Sequence, residues 1–487
     1  MTVDTDSDGF PARDVATDRS PILRLGPYLV VILTVLLVVE IASSSVTNFD
    51  TFFHLRIGQE FSHGWSLRHP GHFNRFASRD WLPTQWLTQI WMYRFEEWFG
   101  LGGVAWLSGL WFLGLAATLL VICRRHASPI VATAVVATTL LACRYGLSPR
   151  PQVLSYILIA IVVDAWLRTD RDGRPRWWLI PLAWLWAMLH GMWILGVVTS
   201  FVGAAAMWID RSKTRKARWS FLGIPVGMAF AGAITPVGPG LYSAVLLVGS
   251  RSDLFTEWKP ADYTQPPNAA LAVMLVASVG LSLRSRRSTV IEIGFLLLTM
   301  GWALYTQRTV PIAAVTLAPL LAGQLALLTS PRMPMRRGEK ATLTVIISLG
   351  LVVLGFTAHR AGEVHEPSWV RPQLQALPNG TPLIADMAPA GYLIWRYQNV
   401  APLITGYADM YTDRELANNR KLMALDPGWD EQVRRLDVHW ALVDPKSAIA
   451  YALTHFEHWR TVGTSKYVVL LTDTVLPPHS SQGSAHP

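Results

Sequence analysis

Apolar blocks long enough to cross a hydrocarbon core, which takes about 20 residues as a helix, recur along most of the chain and then stop. The first runs from Pro27 to Ala42, between Arg24 and the polar run Ser43-Ser44-Ser45. The pattern predicts about eleven spans, at 26–44, 102–122, 128–143, 151–167, 177–190, 192–209, 219–235, 267–283, 289–306, 310–328 and 341–358. Residues 1–25 are polar and predict a cytoplasmic tail, with no cleavable signal peptide. Past residue 358 the pattern changes to short strands and helices in alternation: strands at Leu383 to Ala385, Pro402 to Thr405, Trp440 to Val443 and Lys466 to Thr472, with helices at Pro389 to Tyr397, Thr412 to Leu436 and Lys446 to Phe456. That alternation predicts a small α/β domain over 359–475, followed by a disordered Pro/Ser/Gly/His-rich tail at 476–487.

Composition agrees with the pattern. Hydrophobic residues make up 51% and charged residues only 15%, against about 25% charged in soluble domains. The net charge of +9 says more about loops than about partners. Arg124-Arg125, Arg168 to Arg176, Arg211 to Arg218, Arg284 to Arg287 and Arg332 to Lys340 follow every second span. The positive-inside rule places all five in the cytoplasm. An odd number of spans then puts the C-terminal domain outside, together with the first loop (47–101) and the segment from Pro236 to Pro267. A multi-pass plasma-membrane protein follows, its N-terminus cytoplasmic. Cys123 and Cys143 fall near opposite faces, so no disulfide is expected. Asp164, Asp210 and Glu292 fall near the cytoplasmic side, where neighbouring basic residues can pair with them. Nothing suggests nucleic acid: there is no Walker loop, nucleotide-binding glycine fingerprint or zinc-finger spacing, and no internal repeat.

The polar residues on the outer side carry the candidate chemistry. Asn48 to Gly58 reads NFDTFFHLRIG; a helix there sets Asp50 and His54 on one face. Asp is a favoured helix N-cap, but a carboxylate at the mouth of a membrane cavity can also act as a general base or hold a divalent metal bound to phosphate. His54 could orient Asp50 or share its proton. His63, His69 and His72 in the same loop match no metal spacing. The stretch Pro83 to Gly100 reads as an interfacial helix with Trp86, Ile90, Trp91, Phe95 and Trp98 toward lipid. Arg144 and Arg150 flank the connection between spans 3 and 4, and Arg308 sits between spans 9 and 10. Guanidinium grips phosphate bidentately, although lone arginines at helix ends also snorkel to headgroups. His190, before Gly191, and Glu257, before Trp258, could line the same cavity.

In their order these motifs resemble a widespread family of uncharacterised bacterial membrane proteins with the pattern D-x-D-x-W-W-H-L-x-x-G in the first loop. The likeness continues through Arg150-Pro151-Gln152, Trp186 to Gly191, Thr235 to Gly238, Glu257-Trp258, Arg308 to Pro311, Ala390 to Trp395 and Gly406 to Tyr411. That family in turn resembles the GT-C superfamily of membrane glycosyltransferases, which take sugars from polyprenyl-phosphate or polyprenyl-diphosphate carriers. The resemblance implies a GT-C-like membrane domain with an outward active site and the catalytic acidic residue at Asp50. Outer arginines would hold the lipid phosphate, and a glycan, lipid or protein would be the acceptor. Asn48 stands where the pattern has Asp, which disfavours a paired-carboxylate metal site and favours a donor carrying a single phosphate. Tyr407 stands where Arg is usual. Two rival readings remain at this level: a transporter or flippase for a lipid-linked precursor, and a non-catalytic scaffold of an envelope-assembly complex.

Overall fold

A computed structural model describes residues 21–43, 46, 48–210, 214–251, 256–285, 288–329, 335–359 and 366–474. The two terminal tails and parts of the last three basic loops lie outside the described residues. Each of the eleven apolar blocks is a helix: α1 (Pro21–Ser43), α3 (Trp86–Arg124), α4 (Pro129–Ala142), α5 (Gln152–Asp172), α6 (Leu179–Leu189), α7 (Trp193–Ile209), α8 (Arg215–Ala233), α10 (Pro266–Ser285), α11 (Val290–Tyr305), α12 (Val310–Ala326) and α13 (Arg337–Thr357). Among the described residues six are long and apolar enough to cross a membrane: α1, α3, α5, α10, α12 with the turn before it, and α13. This is a multi-pass membrane protein. α12 is buried along nearly its whole length and packs against α3, α4, α5, α10 and α11, whereas Leu349, Val352 and Phe356 of α13 are exposed, as suits a lipid-facing helix.

Two further helices belong to the segments between spans. α2 (Phe49–Ser62) follows α1, and α9 (Leu241–Ser250), which the hydropathy pattern had merged into an outer loop, follows α8. The interfacial stretch is also a helix, but it is continuous with the second span: α3 contains both, kinked at Gly100, whose φ of +64° suits glycine. Its orientation corrects the expectation in part. Trp91 and Trp98 are exposed, whereas Trp86 and Ile90 pack into the aromatic cluster of the first loop, and Phe95 stacks on Trp106. The side chains of an interfacial helix divide between lipid and the domain beneath it.

The C-terminal domain follows with α14 (Val370–Gln375), β1 (Thr381–Ala385), α15 (Met387–Arg396), β2 (Val400–Pro402), α16 (Asp413–Ala424), α17 (Trp429–Arg435), β3 (Trp440–Val443), α18 (Ala448–His455), β4 (Arg460–Thr464) and β5 (Val469–Thr472). The sheet order is β2-β1-β3-β5-β4. β1 runs parallel to both β2 and β3, with Ile384 opposite Ala441, and β5 runs antiparallel to β3 and β4. β4 and α14 are absent from the sequence reading. β4 alternates weakly and is largely exposed, so no apolar run betrayed it. β2 ends at Pro402; Leu403 still donates its N–H to the Leu383 carbonyl at 3.0 Å and packs in the α/β core, and Ile404 turns into the aromatic cluster of the first loop.

α15 is the joint between the two parts. Its Gly391 lies so close to α2 that a Cβ there would stand 2.7 Å from the Phe49 carbonyl oxygen. Phe52 of α2 meets Tyr392 and Trp395 of α15 at ring distances of 5.0 and 5.2 Å. Opposite, Gly58 of α2 presses on α3: a Cβ there would fall 2.0 Å from the Gln89 carbonyl oxygen. α2 is thus clamped between the membrane helices and the α/β domain.

Candidate active site

Asp50 is the second residue of α2, and it does not cap the helix. Asn48 does so, its Oδ1 accepting from the Asp50 backbone N–H at 3.0 Å. The Asp50 carboxylate is therefore free for another partner, and that partner is Arg150, whose Nη1 donates to Oδ2 at 2.9 Å. The same Nη1 donates to Glu257 Oε2 at 3.2 Å. Arg308 Nη1 donates to the other Glu257 oxygen at 2.6 Å, and its guanidinium lies 5.4 Å from the Trp258 ring centre. Four residues from four separate segments form one chain of alternating charge: the start of α2, the loop before α5, the turn at Thr256–Trp258 and the turn before α12.

The supports are local. Ser148 Oγ accepts from Arg150 Nε at 2.9 Å, and Thr51 Oγ1 donates to the Pro149 carbonyl at 2.9 Å, tying α2 to the loop that carries Arg150. The cluster is half-buried: Asp50 keeps 38% of its side-chain surface and Arg150 only 13%. The two carboxylates are held differently. Burial raises both, but Arg308 and Arg150 together outweigh it at Glu257, which stays below its ordinary range. At Asp50 burial, reinforced by the like charge of Glu257, prevails over Arg150 and Arg308, and the pKa is raised. Of the pair, Asp50 is the better proton acceptor and Glu257 the fixed counter-ion.

The remaining sequence candidates fall elsewhere. His54 is on the same helix face as Asp50 but makes no bond to it. It is 4% exposed, its Nδ1 lies 3.1 Å from Gln89 Nε2, and burial with the nearby charges of Arg150 and Arg308 holds it neutral. Four-residue spacing sets a shared face, but the Gln89 side chain on α3 is closer to the imidazole than the carboxylate is. His190 is buried with Nδ1 2.9 Å from Ser155 Oγ, which also accepts from Trp186 Nε1; it shares no bond with the charged cluster. Arg144 is exposed and takes no part in the cluster. Of the acidic residues expected near the cytoplasmic side, Asp164 pairs with Arg125 and Arg168, whereas Glu292 closes the capping box of α11. Cys123 and Cys143 are buried free thiols.

No three His, Cys, Asp or Glu side chains gather into a metal-binding group among the described residues. As arranged, the cluster does not fit a divalent cation. Asn48 is spent on the cap, Glu257 is clasped by two guanidiniums, and a cation at Asp50 would have to displace Arg150.

The α/β domain contributes residues of the Gly406–Tyr411 motif, which the sequence carried as part of a resemblance and not as site candidates, and Arg251 of the membrane domain, which it did not single out, holds them. Gly406, just past β2, lies against Asp50: a Cβ there would stand 3.4 Å from Asp50 Oδ1. Tyr407 packs on Phe53 and Trp81 at 5.3 and 5.2 Å. Arg251, at the end of α9, holds this loop down, donating to the Ala408 carbonyl at 2.6 Å, the Tyr411 carbonyl at 2.9 Å and Asp413 Oδ1 at 2.5 Å. Asp409 faces the charges of Arg251, Arg79 and Arg308, yet burial raises its carboxyl to about 6. An acidic residue in a strand-to-helix loop of an α/β domain was the available signal for Asp409.

No protein-family model and no curated protein matches the chain. Solved structures do. The oligosaccharyltransferase of Archaeoglobus fulgidus, crystallised with an acceptor peptide containing the NVT sequon tethered through a disulfide bond, matches with a TM-score of 0.53 at 11% identity, over 94% of this chain and 75% of that one. The apo form of the same enzyme matches with a TM-score of 0.49 at 10% identity, over 86% and 70%. At this identity the likeness is one of fold: the chain folds like that oligosaccharyltransferase.

Proposed function

We propose that the protein is a membrane glycosyltransferase that moves a sugar from a polyprenyl-phosphate carrier to an acceptor outside the cytoplasm. The observation that carries this reading is the Asp50–Arg150–Glu257–Arg308 chain, which joins a carboxylate raised by burial to two guanidiniums at the foot of the α/β domain. In this reading about eleven helices cross the cell membrane, with the N-terminus in the cytoplasm and the α/β domain in the cell envelope. The likeness in fold supports the class of reaction. The neighbour's acceptor peptide makes a peptide acceptor one candidate beside a glycan or a lipid.

Asp50 takes the proton from the acceptor hydroxyl as its oxygen attacks the anomeric carbon. The bond from that carbon to the phosphate oxygen breaks, and the phosphate leaves with the electron pair. Arg150 and Arg308 meet the growing charge on the phosphate, where fixed cations in a half-dry site act most strongly. Glu257 keeps the two guanidiniums in register until the phosphate arrives. His54 and His190 serve the packing beneath rather than the transfer.

The test is sugar transfer by purified protein from a polyprenyl-phosphate hexose. Asp50→Asn is expected to lower transfer by about 100-fold or more, with folding and lipid binding retained. A fully active variant would overturn the assignment of the base. Movement of the lipid across the bilayer without sugar transfer would favour a flippase. Function that survives loss of Asp50 and both arginines would favour a scaffold.

A further inference from the structure

The charged cluster leaves three polar groups beside it unused. The Tyr407 hydroxyl has no hydrogen-bond partner although the residue is 95% buried, at 5% exposure. Trp258 Nε1, under Arg308, is likewise buried without a partner. Asp409 receives no hydrogen bond from the described residues; only the charges of Arg251, Arg79 and Arg308 act on it. Buried polar atoms without partners cost about 1–3 kcal/mol each, so a fold keeps them where a ligand repays the cost. All three adjoin the phosphate-gripping cluster: Gly406, next to Tyr407, touches Asp50, Arg308 links Trp258 to Glu257, and the charge of Arg308 reaches Asp409. Arg79, which brings the first loop to the same place through its N–H to the Met410 carbonyl at 3.1 Å, completes the surround.

A hydroxyl acceptor and donor, an indole N–H beside an aromatic face, and a half-buried carboxylate flanked by arginines are the groups that hold a polyhydroxylated ring. A carboxylate accepts from two neighbouring hydroxyls, a tyrosine O–H bridges a third, and a tryptophan carries the ring face. A bare phosphate or an apolar chain would leave all three groups unsatisfied.

We propose that Tyr407, Asp409 and Trp258 form the subsite for the hydroxyls of the transferred sugar, so that the α/β domain selects the donor sugar while the membrane domain grips its phosphate. This rests on the transferase reading and adds to it which residues read the sugar.

The experiment compares binding of two short-chain lipids, a polyprenyl phosphate with one hexose and the same lipid without it, to detergent-purified wild type, Tyr407→Phe and Asp409→Asn. The sugar is expected to tighten wild-type binding by about tenfold or more, with about a 3- to 10-fold loss of that gain in Tyr407→Phe and about tenfold in Asp409→Asn; the bare lipid binds all three alike. Tyr407→Phe keeps the ring on Phe53 and Trp81 and removes only the orphaned hydroxyl, so its unliganded melting temperature should hold or rise. A merely structural tyrosine would lower it. Equal binding of the two lipids by wild type, or unchanged sugar preference in both variants, overturns the subsite and leaves the transferase reading standing. Failure of wild type to bind either lipid overturns both.

Discussion

Replacing Arg251 by Ala removes the only guanidinium that ties the Gly406–Asp413 loop to the membrane domain through bonds seen among the described residues. Its side chain is 5% exposed, and its Nε and Nη2 share Asp413 Oδ1 while Nη1 and Nη2 take two backbone carbonyls. The three acceptors are not equal. Asp413 is 82% exposed and recovers water when the arginine goes, so its loss costs little. The Ala408 and Tyr411 carbonyls lie in buried surroundings, and each left unsatisfied costs about 1–3 kcal/mol. Some water will enter the vacated space, so about 2–4 kcal/mol is expected in local opening of the loop. At about 1.4 kcal/mol per factor of ten, hydrogen exchange across residues 405–413 should quicken by about 30-fold or more. Arg251→Lys, with one point charge in place of a fork, should fall between. Amides of α5 and α12 should be unaffected. Sugar transfer should fall with the loop, because Gly406, Tyr407 and Asp409 lose their fixed position against Asp50. Unchanged exchange over 405–413 would refute the clamp, and so would a loss of protection spread evenly through the membrane helices.

Further outcomes test the packing and the charges. Gly58→Ala drives a methyl against the Gln89 carbonyl oxygen, a backbone atom that cannot rotate away, and should cost about 3 kcal/mol, read as a lower melting temperature in detergent; an unshifted melt would mean that α2 and α3 do not meet there. Arg144→Ala should keep transfer within about twofold, whereas Arg150→Ala should lose about 100-fold or more; equal losses would place the phosphate differently. Asp409, raised by burial from 3.8 to about 6, contributes stability that is full below its unfolded value and is lost as pH rises through the folded one. From about pH 4 to above pH 6, wild type should lose up to about 3 kcal/mol that Asp409→Asn does not lose, as followed by thermal unfolding; parallel pH curves would contradict a buried carboxyl at this position.

The parts of this molecule that could be read from sequence are those set by one-dimensional signals. Apolar runs located eleven helices, six of which are long and apolar enough to cross a membrane among the described residues, because a span must satisfy its backbone within itself and must face lipid. The short apolar run Trp440 to Val443 marked a strand to the residue. The site was legible only as a set of candidates. Asp50, Arg150, Glu257 and Arg308 were each suspect as polar groups on the outer side, but their union depends on how four segments pack, which no spacing records. Local rules misled where a neighbour intervened. Helical spacing paired Asp50 with His54, yet Gln89, from a helix whose kink at Gly100 brings it across the first loop, takes the imidazole. Asp was the favoured cap of α2, yet Asn48 takes that duty, which leaves the Asp50 carboxylate for Arg150. The Gly406–Asp409 loop shows the same principle from the other end of the chain. Read alone it is a turn after a weak edge strand. Set against α2 by Gly391 and held by Arg251, it becomes a wall of the charged cluster, and under the proposed function that gives the α/β domain a direct means of deciding which substrate Asp50 meets.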